Sequence, residues 1–207
     1  MEKTFDPDTA LELRYAHLAP EVWDELGKIE RTGWVMRGVK NPETVQEHTL
    51  GVRKLALSMF EELPEFSPED RQDLLNILEI HDWAEAIHGD EAIVTNDVEE
   101  RKTKKAKKFD NELAAMTKIC DAIGGGGGEE IMELWMRYSM MSDPVAAFAK
   151  QVDKYHAVYQ GLIYQETGET VDAQEFINTA EREITHPLLL EYMNKAREKV
   201  RLLKERK

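Results

Sequence analysis

Cysteine is almost missing from this chain: Cys120 is the single example in 207 residues. An intramolecular disulfide and a cysteine-based zinc cluster are therefore both excluded. Cys120 sits in the apolar-periodic stretch MTKIC and reads as a small core residue. Long apolar runs are missing too, and nothing approaches the roughly 20 residues that a membrane helix needs. The opening MEKTFDPDTALELR has neither the basic start nor the apolar centre of a secretory signal. A cytoplasmic setting, with no membrane partner, is the expectation. Positive charge is in short supply: 27 Lys and Arg face 41 Asp and Glu, a formal net charge of −14. That balance disfavours a nucleic-acid polymer as partner, because polymer binding needs a positive field. The basic stretches RKTKKAKK (101–108) and KAREKVRLLKERK at the C-terminus read as outer faces of helices. Sustained two-residue alternation is lacking as well, which argues against a sheet.

What is present is helical periodicity with clear start signals. Thr44 and Glu47 stand in capping-box relation before an apolar run. Ser67 precedes Pro68 and acidic residues, and SDP at 142–144 opens a third helix. The pattern predicts helices over about 44–62, 67–88, 98–122, 129–141 and 143–166, with others before and after. GWVMRGV (33–39) reads as a short extended stretch. The run Gly124 to Gly128 reads as a flexible surface loop, since glycine holds a helix poorly. The expectation is an all-α helical bundle forming one domain over 1–207. Its core would span about 30–165, and helices in 170–207 would pack on it or in a homodimer interface. The strip PLLLEYM (187–193) could serve either purpose.

Polar residues interrupt the apolar stripes at particular places. On the helix from 44, His48 fills the position between Val45 and Val52. On the helix from 67, the stripe of Leu74, Ile77 and Leu78 runs on to His81, Glu85 and His88. On the helix from 143, Asp153 lies four residues after Ala149 on the inner edge. Three helices thus aim an imidazole or carboxylate inward, and such burial is costly unless the group is paired or coordinated. His48, His81, Asp82 and Asp153 together offer two nitrogens and two carboxylates, a set suited to one divalent ion. Mn, Co, Fe, Zn and Mg all remain open. Glu85 rises on the same cleft as a carboxylate outside the ligand set, as acid–base chemistry requires.

These blocks resemble the HD superfamily of metal-dependent phosphohydrolases, whose ligands come as H…HD…D on separate helices. The resemblance rests on RTGWVMRGVKNPETVQEH (31–48), HDWAEAIHGDEA (81–92) and ELWMRY…AAFAKQVDKYHAVYQG (133–161). Within the superfamily it is closest to the HD-domain 5′-deoxynucleotidases. It implies metal ligation by His48, His81, Asp82 and Asp153, a catalytic Glu85 and a second acidic group at Asp90. It further implies that Arg31 or Arg37 meets the substrate phosphate and that Trp34 packs near the sugar, excluding a 2′-hydroxyl. His88 departs from the family pattern and takes a hydrogen-bonding or substrate-side role. Lys154 and His156 flank Asp153 as supporting or surface groups. The expected substrate is a deoxyribonucleoside 5′-monophosphate. The alternatives are a deoxynucleoside triphosphate triphosphohydrolase, with 101–108 supplying cations, and a non-catalytic HD-type interaction module.

Overall fold

The start signals form as written. In the computed structural model, which describes residues 12–95 and 97–205, Thr44 Oγ1 accepts from Glu47 N and Glu47 returns a carboxylate to Thr44 N. Ser67 makes the same reciprocal pair with Asp70, and Asp143 accepts from Ala146 N. Each cap satisfies backbone donors that a helix start leaves unpaired. The first eleven residues, which hold most of the stretch lacking a secretory-signal pattern, lie outside the described ones.

The elements in order are α1 (Pro20–Leu26), α2 (Thr32–Val35), α3 (Val45–Ser58), α4 (Pro68–Ile80) and α5 (Glu85–His88). They continue with α6 (Val98–Ile123), α7 (Gly125–Met140), α8 (Pro144–Glu166), α9 (Ala173–Ala180) and α10 (Pro187–Glu205). Short 3₁₀ turns cover Ala16–Leu18 and Phe60–Glu62. Among the described residues the only β pairing is an isolated bridge between Glu30 and Thr44, so the fold is all-α. No described helix is long and apolar enough to cross a membrane.

Helix α8 is the axis of the bundle and packs on α3, α4, α7, α9 and α10. Val145, Ala149 and Val152 from its stripe are buried against the same core as Val45, Val52, Leu74, Ile77 and Leu78. Burial on this scale is what holds helices of ordinary propensity together. Leu189 and Met193 of the PLLLEYM strip close this core from α10, while Leu190 stays 40% exposed. Cys120 is buried, and burial pushes its thiol up to about 11, which keeps it inert.

Three local expectations are corrected. The helix expected over 67–88 ends at Ile80, and the chain tightens before α5 begins. Residues 33–39 are not extended: Thr32–Val35 is a helical turn, and Gly38, at φ 70, reverses the chain after it. The glycine run is not a loop. Gly124 caps α6 at φ 70, and Gly125 to Gly128 form the first turn of α7. Close approach explains the last of them, because a Cβ on Gly128 would clash with the Cys120 carbonyl oxygen. The run therefore lets two helices meet at a sharp corner, and α6 and α7 are in extensive contact.

The glycines in this turn should respond oppositely to alanine. At Gly126 a Cβ meets nothing within 4 Å, and the backbone is not at positive φ. Gly126→Ala should stabilise by about 0.4–1 kcal/mol through a less flexible unfolded chain. Gly128→Ala must displace backbone and should destabilise by about 1–3 kcal/mol. Urea unfolding of the two variants checks the sign, and equal effects would contradict the close-approach explanation.

Candidate metal centre

The tightening after Ile80 builds the site. Trp83 N donates to Ile80 O at 3.1 Å, Glu85 N to Asp82 O at 3.0 Å and Ala86 N to Trp83 O at 3.1 Å. Bonds of this three-residue span eclipse side chains at i and i+3, so Glu85 stacks over Asp82. Gly89, at φ 81, then turns the chain so that Asp90 comes back toward the same cluster.

His81 is set by its backbone. Its Nδ1 lies 2.8 Å from the carbonyl oxygen of Leu78, which only an N–H can satisfy. The neutral ring therefore carries its lone pair on Nε2, and that atom is buried without a hydrogen-bond partner. His48 is alike: it is 1% exposed, and its Nε2 also lacks a hydrogen-bond partner. The two imidazoles face each other with ring centroids 5.4 Å apart. Asp153 Oδ1 stands 3.2 Å from His48 Nε2. Asp82 Oδ2 stands 3.1 Å from His81 Nε2 and 3.7 Å from His48 Nε2. One ligand atom each from His48, His81 and Asp153 fall within 4.8 Å of one another. Two buried acceptor nitrogens with no donor, converging on carboxylates, are costly without a cation and apt for one. These residues fit a divalent ion.

Supporting contacts divide the carboxylate oxygens by task. Tyr138 donates to Asp153 Oδ2 at 3.1 Å and Lys154 does so at 3.3 Å, which leaves Oδ1 toward the histidines. Burial opposes the charge on Asp153, yet Lys154 and His48 hold its carboxyl well below the usual range. Asp82 is likewise held down despite burial, by His81 and Arg31. Glu85 goes the other way. It is 2% exposed, and burial together with the Asp82 charge raises its carboxyl well above the ordinary value.

Arg31 spans the mouth of the cluster. Its Nη1 is 3.0 Å from Asp82, 3.8 Å from Glu85 and 3.9 Å from Asp90. Asp90 pins the adjacent backbone: its Oδ2 accepts from Thr32 N at 2.7 Å, and its carbonyl accepts from Thr32 Oγ1 at 2.6 Å. Asp90 thus fixes Arg31 as much as it faces the cluster.

His48, His81, Asp82, Asp153, Glu85, Asp90 and Arg31 are therefore brought together. Three other expected residues are not. Arg37 leaves the cluster: it pairs with Glu175 at 3.1 Å and lies 4.5 Å over the Phe176 ring. Trp34 is 3% exposed, packed against Tyr164 and Phe176, and its indole N–H donates to Glu43 at 3.0 Å. In this arrangement the indole supports Glu43 and offers no face to a ligand. His88 has a buried Nε2 without a hydrogen-bond partner but belongs neither to the group of His48, His81 and Asp153 nor to a second possible ligand group, Glu43, His48 and His156.

Several nearby residues were not legible beforehand. Lys108 comes from the basic run expected as a solvated face or, in the triphosphate alternative, as a source of cations without any one lysine singled out. Its Nζ lies 3.7 Å from Glu85 and donates to Glu91 O. Lys150 lies 4.0 Å over the Tyr138 ring and has no ion pair among the described residues. Burial and Lys154 lower its pKa. Its place one helical turn before Asp153 was the available signal. Of the acidic groups in EIHDWAEAIHGDE, Glu79 serves the fold alone. It accepts the backbone N–H groups of Arg14, Tyr15 and Ala16 at 2.8, 2.6 and 3.0 Å.

A family model described as HD domain matches residues 23–190. The 5′-deoxynucleotidase HDDC2 of Danio rerio is 31% identical over 167 residues, covering 80% of this chain and 78% of that protein. The 5′-deoxynucleotidase hdd1 of Schizosaccharomyces pombe is 32% identical, covering 79% of each chain. Among solved structures, a conserved hypothetical protein from Pyrococcus furiosus superposes with a TM-score of 0.68 at 25% identity. That superposition covers 88% of this chain and 98% of the other.

Proposed function

The chain belongs to the HD-domain family, and from that premise we propose that it is a metal-dependent phosphohydrolase acting on deoxyribonucleoside 5′-monophosphates. The observation that carries the reading is the pair of buried, donor-free Nε2 atoms of His48 and His81 converging on Asp82 and Asp153. Those four residues would hold the ion. When bound, the ion supplies Lewis-acid polarisation of a phosphoryl oxygen and of the attacking water.

The chain's own groups do the rest. Arg31 would turn part of its guanidinium from the carboxylates to the substrate phosphate, where charge builds on the equatorial oxygens during in-line attack. Water forms the new P–O bond as the bond to the 5′-oxygen breaks, and that oxygen takes up a proton. Glu85 gives up that proton and is restored by the one the attacking water loses: its raised carboxyl favours the protonated form, and it lies beside the same Arg31 Nη1 that meets Asp82. Asp90 holds the Arg31 backbone in place. Deoxyribose preference rests on kinship with the 5′-deoxynucleotidases, since Trp34 offers no exposed face for it.

A second reading, triphosphate release from deoxynucleoside triphosphates, is favoured by Lys108, a basic residue in reach of Glu85 that could meet a longer phosphate chain. Product analysis separates the two. With Mn²⁺ or Co²⁺ present, orthophosphate should be released from deoxyribonucleoside monophosphates and much less from ribonucleotides. Triphosphate as the product would move the enzyme to the second reading, and no release from either class would overturn both.

A further inference from the structure

His48 must present its Nε2 lone pair to ligate, so its single proton sits on Nδ1. That nitrogen lies 3.1 Å from Nδ1 of His156, a ring that is 2% exposed and meets it edge-on. Two facing ring nitrogens need one donor and one acceptor. With His48 donating, His156 must accept on Nδ1 and carry its own proton on Nε2. Glu43 stands farther away, 3.7 Å from His48 Nδ1, and the same oxygen already accepts from Trp34. The closer acceptor is therefore an imidazole and not the carboxylate that more often steadies a metal-ligating histidine.

The seat for that ring is a glycine in the middle of α3. A Cβ on Gly51 would collide with His156 Nε2 and lie 3.1 Å from its Cε1. Gly51 has no positive φ to explain it, and glycine weakens a helix interior. Its use here is the space it leaves for the His156 ring. Both residues line a groove of about 710 Å³ between α3 and α8, in which water can satisfy the Nε2–H.

We propose that His156, seated on Gly51, is a positioning residue that fixes the tautomer and orientation of His48 as a metal ligand. The inference rests on the metal-site reading above. It makes position 51 a determinant of metal affinity although Gly51 is no ligand.

The test is Co²⁺ affinity by titration calorimetry and visible absorption, alongside melting of the metal-free proteins. His156→Leu removes the acceptor and should weaken Co²⁺ binding about 10–100-fold. His156→Asn keeps an acceptor atom at the δ position and should stay within a few-fold of the wild type. Gly51→Ala should reproduce the leucine loss, and combining it with His156→Leu should add little, because both remove one interaction. Leucine and asparagine variants with equal affinity would overturn the proposal, whether both bind as the wild type does or both bind weakly. If His156→Leu does not fold, Gly51→Ala against His156→Asn makes the same comparison. A wild-type protein that binds no Co²⁺ would overturn the metal site and this proposal together. Wild-type binding with no effect at 156 or 51 would overturn this proposal alone.

Discussion

Glu85→Ala is expected to lower kcat by about a hundredfold to ten-thousandfold while the protein still binds its metal, the range that a positioned proton donor contributes. Glu85 is not needed to complete the four-residue ligand set, so its loss should spare metal affinity. Its carboxyl is nonetheless built in at a cost: it is 2% exposed, and Oε2 has no hydrogen-bond partner. Lys108 and Arg31 stand 3.7 and 3.8 Å away, close enough to moderate its charge but too far to bond well. A carboxyl kept in that condition is costly for stability, and burial beside Asp82 favours its protonated form. Turnover measured with calorimetric metal occupancy distinguishes a proton donor from a ligand. Undiminished kcat would remove Glu85 from the mechanism. Loss of metal together with activity would make it a ligand instead.

Asp82→Ala should abolish the metal-dependent rise in melting temperature together with activity. At a hundredfold excess over its Kd, an ion that binds only the folded state stabilises by about 2.7 kcal/mol, or roughly 5–10 °C for a chain of this size. Asp82 contributes twice to that effect. Its Oδ2 faces both Nε2 atoms, at 3.1 and 3.7 Å, and it ties down Arg31 at 3.0 Å. Without it the two imidazoles keep one facing carboxylate, Asp153, and a borderline ion loses half its anionic charge there. The metal-free variant should melt below the metal-free wild type, because a carboxyl held under its ordinary range stabilises the fold and its loss leaves Arg31 only the more distant Glu85 and Asp90. The metal-dependent rise, and not the melting temperature alone, is therefore the readout. A metal shift that survives Asp82→Ala would place the ion elsewhere. The neighbouring group of Glu43, His48 and His156 would then be the site to examine.

Much of this molecule was legible from residue order. The capped starts at Thr44, Ser67 and Asp143 are local chemistry, satisfied within three residues, and they form as the sequence implies. The inward aim of His48, His81 and Asp153 follows from helical periodicity, because their apolar neighbours on each stripe can only be buried one way. The stripe, and which polar groups it carries inward, are thus properties of the chain itself.

Other features required the packed structure. Arg31 and Arg37 are equally near Trp34 in sequence, yet one spans the carboxylates and the other turns to Glu175 and Phe176 of α9. Only the docking of α9 beside α2 separates them. The glycine run becomes helical because α6 and α7 meet so closely that a side chain at Gly128 would not fit, a tertiary fact that propensity cannot carry. The break after Ile80 likewise overrides an unbroken apolar stripe, and it stacks Glu85 on Asp82. Periodicity fixes which face of a helix turns inward; which groups from different helices meet there depends on the angle and depth of packing, and no local pattern encodes those.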